Sequence, residues 1–323
     1  MQKIFFISVL VYSLSLSSCT SASSKRASAA DAAMPLPVAT LQKKSLTHQG
    51  RNRTYWLAVP QECLQTKTCP IVLAFHGGGG NGKNLEQRLQ LAKETNARKM
   101  ILILPDGVDK NWNDGRPEIN AEVDDVGFVD QILMENASLR ATASPVFLMG
   151  LSNGGQFVLR LACEQKNSRR FKAFATVVSN FGEDLAKTCH PAFPTSGFLI
   201  FGDKDPIMPF HGGPVKGPLG WKNRGRVISA DETARLWLNF NKCQRFTTQG
   251  VLDENSEDRT SVSKEIAVGC SSGVDLKKWV IRGGGHGFPG AAEALPERFV
   301  GVISKEISAA NEIFNFFEES SHR

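Results

Sequence analysis

Residues 145 to 157 read PVFLMGLSNGGQF. Val146 to Met149 is a short apolar run of the kind that makes a buried strand, and Gln156, Phe157, Leu159 and Arg160 open a helical pattern directly after it. Between the two stands Gly150-Leu151-Ser152-Asn153-Gly154, a GxSxG motif in strand–turn–helix context, the nucleophile elbow. A serine on so sharp a turn sits in strained backbone, and the residues two positions away must be small for the turn to close. Gly150 and Gly154 meet that need, and Gly155 adds room. Such a turn lifts the Ser152 hydroxyl above a sheet and lets the N–H of Asn153, at the helix start, face a developing oxyanion. GxSxG alone is a weak motif, because glycine and serine are common in ordinary turns. The rest of the chain decides between a bland loop and a nucleophile.

Working outward, strands and helices alternate. Tyr55 to Val59 and Ile71 to Phe75 read as strands, the second a continuous apolar run of the buried parallel type. His76-Gly77-Gly78-Gly79-Gly80 follows, then one helical pattern with Leu85, Leu89 and Ala92 on a face. Ile101 to Leu104 is another buried strand, closed by Pro105-Asp106-Gly107 and a polar loop holding Trp112. Asp124-Asp125 can cap a helix whose Val126, Val129, Leu133 and Ala137 share a face. Strands follow around Phe174 to Val178 and Phe198 to Phe201, and Ser229 to Glu232 spells a capping box opening a helix through Phe240. Strands near Val262 to Val268 and Lys278 to Ile281 lead to a final amphipathic helix with Phe299, Ile303, Ile307, Ala310, Phe314 and Phe317. The pattern predicts an α/β fold with a mostly parallel central sheet and helices on both faces. There is no internal repeat and no sign of a second domain, and residues 211 to 226, rich in Gly, Pro and Lys, read as a loop over the site.

A serine hydroxyl needs a base to take its proton, and the base needs an acid to fix its tautomer. Downstream of Ser152, the strand Phe198 to Phe201 empties into Gly202-Asp203-Lys204-Asp205-Pro206, and the strand through Ile281 empties into Gly283-Gly284-Gly285-His286-Gly287. The order Ser, Asp, His at strand ends suits Asp205 as the acid, with Asp203 the alternative, and His286 as the base. Of the six histidines, His48 and His322 lie near the ends of the presumed domain, His190 in a loop beside a cysteine and His211 in the loop over the site. His76 is expected to brace the glycine run. That run supplies the other oxyanion donor, and Gly78 is the residue chosen beside Asn153. Trp112, Phe288, Trp221 and His211 are candidates for the pocket wall, although each reads equally as core or lid packing.

The same glycine run mimics another motif. Residues 77 to 84, GGGGNGKN, nearly spell a nucleotide-binding loop after a strand and before a helix, and ILILPD at 101 to 106 resembles its acidic partner strand. Asn84, however, replaces the hydroxyl that would hold magnesium. That reading also leaves the later serine, acid and histidine without a purpose.

Bulk properties set the remaining bounds. The chain has 323 residues, 41% hydrophobic and 22% charged, with a formal charge of +6. The basic residues are scattered, as on a solvated surface, with no track for nucleic acid and no evident protein partner. Lys3 and the apolar stretch Ile4 to Leu16 make a signal peptide too short to span a bilayer with these flanks. Leu16-Ser17-Ser18-Cys19 resembles a bacterial lipobox, with cleavage near Ala22 or Ala30 as the plainer alternative. The expected layout is a signal peptide at 1–18, a Ser/Ala-rich tether at 19–44 and a single catalytic domain at 45–323. It implies export and a lipid anchor on Cys19 as the only membrane attachment, with Thr20 favouring the outer membrane by analogy; otherwise the protein is secreted. Lipidation of Cys19 leaves six of seven cysteines, an even set suited to disulfides in an oxidising compartment. Proximity along the chain suggests Cys63–Cys69, Cys163–Cys189 and Cys243–Cys270, with free buried cysteines the alternative for the middle pair. No CxxC spacing is present, so no zinc site is expected.

With the glycine loop, PDG, DDVGF at 124 to 128, the elbow, GDKD at 202 to 205 and GGGHGFPG at 283 to 290 assembled, the chain resembles a bacterial esterase group. This is the polyhydroxybutyrate-depolymerase-like and feruloyl-esterase-like group within carbohydrate esterase family one, and the resemblance runs from about Ser45 to Glu319. It implies an α/β-hydrolase fold and a serine esterase without metal or organic cofactor. Ser152, Asp205 and His286 fall at the positions of nucleophile, acid and base, and paired cysteines near Cys243 and Cys270 recur in such proteins. Implied substrates are feruloyl or acetyl esters of polysaccharides, or hydroxybutyrate-type polyesters and oligomers. Two departures bear on substrate: members often carry Trp after the catalytic His, where this chain has Gly287-Phe288, and no polymer-binding domain is appended. A catalytically inactive, lipid-tethered binding protein on the same scaffold is the alternative from another class.

Overall fold

The computed structural model describes residues 39–166, 171–217, 223–254, 256–291 and 296–323. The signal peptide, Cys19 and Trp221 lie outside the described residues. Chain order begins with a hairpin, β1 (Gln42–His48) and β2 (Arg51–Ala58), then a short helix α1 (Gln61–Thr66) and strand β3 (Ile71–Phe75). Helices α2 (Gly82–Leu89) and α3 (Leu91–Ala97) lead to β4 (Ile101–Pro105), α4 (Asp125–Glu135), β5 (Val146–Leu151) and α5 (Asn153–Cys163). Next come β6 (Ala173–Val177), α6 (Glu183–Thr188), β7 (Ser196–Gly202), a two-residue ribbon β8 (Gly213–Pro214) with β9 (Arg226–Val227), and α7 (Ala230–Phe240). The chain closes through β10 (Arg245–Leu252), β11 (Ser261–Val268), β12 (Leu276–Arg282), α8 (Glu297–Val300) and α9 (Ala309–Ser321).

Ten strands make one sheet in the order β1-β2-β4-β3-β5-β6-β7-β12-β11-β10. The stretch from β4 to β12 is parallel, and antiparallel strands extend it at both edges. Strands β3 to β7 are buried along their whole length because both faces are covered. Their side chains alternate between two cores. Ile71, Leu73 and Phe75 point with Leu148, Phe174 and Leu199 into a core closed by α4, α5 and α7. Val72, Ala74, Met149 and Ala175 point the other way, against α2, α3 and α9. There Phe317 stacks on Phe147 with ring centres 4.6 Å apart, and Phe316 meets Phe198 edge-on at 5.6 Å.

Several sequence expectations shift. β1 begins at Gln42, inside the segment expected to be tether. The single helix after the glycine run is two, split at Gln90, whose φ of 52° breaks the hydrogen-bond ladder. The buried face of α4 is Asp125, Phe128, Val129 and Ile132, one step round from the stripe read in the sequence. The expected continuous last helix is also broken: Gly301, at φ 75°, ends α8, and only Ala309 onward forms the apolar helix α9. The capping box at Ser229 and Glu232 is present with both of its hydrogen bonds. Disulfides join Cys63 to Cys69, Cys163 to Cys189 and Cys243 to Cys270. The two later bridges tie α5 to the end of α6, and the end of α7 to the turn between β11 and β12.

Candidate active site

Ser152 separates β5 from α5 with φ 55° and ψ −123°, backbone that a non-glycine residue holds only when its surroundings force it. Three hydrogen bonds do so: Ser152 N–H donates to Val177 O at 3.0 Å, and Ser152 O accepts from Ser179 Oγ at 2.8 Å and Gln156 N at 2.9 Å. The flanking glycines are steric necessities. A Cβ on Gly150 would lie 2.4 Å from Gly154 O, and one on Gly154 would lie 2.4 Å from Phe75 O and His76 O.

The structure brings the three expected side chains together. His286 Nε2 lies 2.8 Å from Ser152 Oγ, and His286 Nδ1 lies 2.6 Å from Asp205 Oδ2. Asp205 and His286 are largely shielded, with side-chain exposures of 2% and 10%, so water competes weakly for this pair. Asp205 Oδ1 accepts the N–H groups of Ile207 and Met208, both at 2.8 Å, which leaves Oδ2 directed at the imidazole. His286 is fixed through its own backbone, N–H to Val300 O at 2.5 Å, beside Gly285 N–H to Val302 O at 2.7 Å. Asp203 does a different job: its Oδ1 accepts Gly283 N–H at 2.7 Å and so clamps the turn that leads to His286.

The glycine run lies alongside. A Cβ on Gly77 would sit 3.4 Å from the Ser152 Cβ, while Gly78, one residue on, lies against Asn111 and Arg224. Gly79 N–H donates to Lys110 O and Gly80 N–H to Gly77 O. His76 braces this loop, its Nδ1 donating to Gly77 O at 2.8 Å while Nε2 accepts Gly107 N–H at 3.0 Å. Burial holds its pKa below the ordinary 6.5, which keeps this neutral tautomer.

Two of the pocket candidates are buried in the core, and a third lies in a separate cleft. Trp112 is fully buried, stacked on Phe157 at 5.2 Å with its indole N–H donating to His76 O at 3.0 Å. Its breadth supports the loop from beneath. Phe288 is 2% exposed and packs into the core with α9, because the chain turns inward after Gly287. His211 is exposed and lines a cleft with Glu183, Arg226 and Arg235 in which none of Ser152, Asp205 or His286 takes part. His48 bonds Asp124 and Gln131 on the far flank of α4. The nucleotide-binding reading also fails on geometry. Asp106 Oδ1 already accepts Gly82 N–H and Asn81 Oδ1 accepts Asn84 N–H, so the start of α2 is occupied by the protein's own oxygens.

Sequence reasoning missed the scaffold that holds Asn153. Its side chain pairs with the backbone of Trp112, Oδ1 accepting at 2.8 Å and Nδ2 donating at 3.0 Å, and Nδ2 also donates to Asp114 Oδ2 at 2.6 Å. Asp114 is in turn paired with Arg116 at 2.5 Å in full burial. One residue upstream, Asn113 N–H donates to Asp125 Oδ2 at 2.7 Å, and Asp125 Oδ1 takes Arg53 at 2.6 Å. Burial raises the Asp125 pKa while Arg53 and the Asn113 N–H pull it back. The DDVGF motif therefore does more than cap α4. Its second aspartate ties that helix to the loop under the elbow, a role with no signal in local sequence spacing.

Comparison with known proteins finds esterases. No family model matches the chain. It is 27% identical over 294 residues to a putative esterase, NocK, of Nocardia uniformis subsp. tsuyamanensis, covering 87% of this chain and 84% of that protein. It is 28% identical over 173 residues to a probable feruloyl esterase C of Aspergillus niger, covering 51% of this chain and 60% of that one. An acetyl xylan esterase from Aspergillus awamori shares the fold, with a TM-score of 0.53 at 13% identity over 85% of this chain and 99% of that one. Sheet and relatives together define a carboxylic ester hydrolase of α/β-hydrolase fold. Within that class, its relatives in sequence include this putative esterase and probable feruloyl esterases.

Proposed function

We propose that the protein is an exported serine esterase that cleaves carboxylic esters through an acyl-serine intermediate. The observation that carries this reading is the unbroken relay from Ser152 Oγ through the imidazole of His286 to Asp205 Oδ2, with both gaps at hydrogen-bond length. In attack, His286 Nε2 takes the Ser152 proton as Oγ bonds to the ester carbon, and the carbonyl oxygen becomes an oxyanion. Asn153 N–H at the start of α5 and Gly78 N–H, with Gly77 adjoining, receive that charge. Asp205 holds Nδ1–H and stabilises the imidazolium while it exists. The tetrahedral species collapses as His286 returns the proton to the leaving alcohol. Water then attacks the acyl-serine by the same route and releases the acid. The aromatic support under the loop, Trp112 against Phe157 and Phe75, keeps the oxyanion donors rigid, and rigidity is what makes such donors effective.

The substrate belongs among feruloyl or acetyl esters of polysaccharides, or hydroxybutyrate-type polyesters and oligomers. Disulfides fit an oxidising compartment, and a lipid on Cys19 would hold the enzyme at a membrane surface facing the periplasm or cell exterior. Ser152→Ala should lower kcat on a 4-nitrophenyl ester by about 10⁴–10⁶ without changing the unfolding midpoint by more than a small amount. Wild-type turnover in that variant would refute the reading.

A further inference from the structure

Arg224 lies where the glycine run meets the loop after β4, and its position is set by the absence of a side chain at Gly78. A Cβ there would fall 2.8 Å from Arg224 Nη2 and 2.9 Å from Asn111 Oδ1. A Cβ on the preceding residue, Gly77, would lie 3.4 Å from Ser152 Cβ, so the guanidinium borders the loop residue next to the one that adjoins the candidate nucleophile. It is also oriented. Nη2 donates to Asn111 Oδ1 at 2.9 Å, and Asn111 Nδ2 donates to Asp109 O at 2.7 Å, which fixes the amide with its oxygen toward the arginine. The carbonyl of Arg224 is held by Arg116 Nη1.

What Arg224 lacks among the described residues is a counter-charge. Among the described residues no carboxylate forms an ion pair with it, although it is half-buried. The acidic groups nearby are engaged or form no ion pair with it. Asp114 is taken by Arg116 and Asn153, Glu183 by Arg226, and Glu118 packs beside Gly225. Burial and the neighbouring Arg116 both disfavour the charge on Arg224, with only Asp114 opposing them from a distance. A guanidinium left in this condition, with its planar fork of donors, is suited to a carboxylate arriving from solvent.

We propose that Arg224, oriented by Asn111, is an anion subsite that takes a free carboxylate carried by the ester substrate. This deepens the esterase reading and rests on it. It favours the hydroxyacid class, whose alcohol half ends in a carboxylate a few bonds from the scissile oxygen, over esters of neutral sugars. Binding the acid end there would set the ester carbonyl at the glycine run and leave the acyl half free to vary.

The test compares a 3-hydroxybutyrate dimer bearing its free carboxylate with the same dimer as a primary amide, so each contains one scissile ester. In the wild type, kcat/KM should favour the acid by about 10- to 100-fold, the span expected for hydrogen bonds to a charged group, and mainly through KM. Arg224→Gln should bring that ratio close to unity whatever its overall rate, and Arg224→Lys should keep part of it. Equal use of acid and amide by the wild type, or a preference that survives Arg224→Gln, overturns the proposal. So does turnover of 4-nitrophenyl acetate without cleavage of either dimer. Failure of the underlying reading is distinct: Ser152→Ala would then hydrolyse 4-nitrophenyl acetate as fast as the wild type.

Discussion

Asp203 and Asp205 share one turn, yet their surroundings assign them different work. Asp205 spends one oxygen on two backbone N–H groups and offers the other to His286, whereas Asp203 spends its nearer oxygen on the Gly283 N–H. The first arrangement fixes an imidazole tautomer and the second fixes a turn. Asp205→Asn should therefore lower kcat on a short aryl ester by about 10⁴, as expected when the base is held in the wrong tautomer. Asp203→Asn should act mainly on stability, by about 1 kcal/mol for a weakened, partly buried hydrogen bond, with a far smaller loss of kcat. Steady-state kinetics and denaturant unfolding on the two variants decide the matter, and equal kinetic losses would contradict the division. The two carboxylates were hard to separate in sequence because both follow the same strand. Only the direction of each side chain, set by later backbone contacts, distinguishes them.

Helices α2 and α3 meet at a joint that responds to pH. The Glu86 carboxylate reaches past Gln90 to accept the Ala92 N–H with both oxygens, at 3.1 and 3.0 Å, so a side chain of one helix caps the next. Burial, only partly offset by those N–H groups, raises its pKa from 4.5 to about 7. A carboxyl raised in the folded state contributes stability in full below its unfolded value, and that contribution is lost as pH rises through the folded value. The loss therefore falls between 4.5 and about 7. Buried His76 acts in the opposite sense, since its lowered pKa removes stability as pH falls below 6.5. Glu86→Gln should consequently gain in Tm relative to the wild type as pH climbs through the Glu86 window, with no further gain above it. A difference in Tm that is flat with pH would show that Glu86 does not titrate there. Elements differ in how well they could be read. The buried strands β3 to β7 were legible because an apolar run covered on both faces can be little else. β1 was missed because it is an exposed edge strand with Leu46 as its one buried residue, and a polar, lysine-bearing edge looks like tether. The break at Gln90 was missed because helical periodicity continues across it while the backbone does not.

At the scale of the molecule, sheet topology does what no local motif can. Parallel strands β3, β5, β7 and β12 carry the glycine run, Ser152, Asp205 and His286 at the same rim, from positions as far apart as 76 and 286. The order of Ser, Asp and His along the chain was enough to single out three side chains that the fold brings within hydrogen-bond distance. The support beneath them, Arg53 to Asp125 to Asn113 and Asp114 to Asn153, was not legible, because its contacts join elements remote in sequence. Pocket residues were misjudged for a related reason: Trp112 and Phe288 are aromatic and near the motifs, but they spend their surface on the core. The disulfides lie outside this rim. The Cys243–Cys270 bridge closes a separation of 27 residues, and replacing both cysteines by serine should cost about 3 kcal/mol in denaturant unfolding while leaving kcat of the folded enzyme intact. A loss of kcat in protein still fully folded would mean that the bridge also shapes the site. The central claim is that Ser152, driven by His286, forms a covalent bond with substrate, and a phosphonate ester probes that bond directly. Intact-mass and peptide analysis of treated protein should find one phosphonyl adduct, on the peptide containing Ser152, absent in Ser152→Ala and formed far more slowly in His286→Ala. An adduct on another serine, or none on a protein that still hydrolyses esters, would contradict the account.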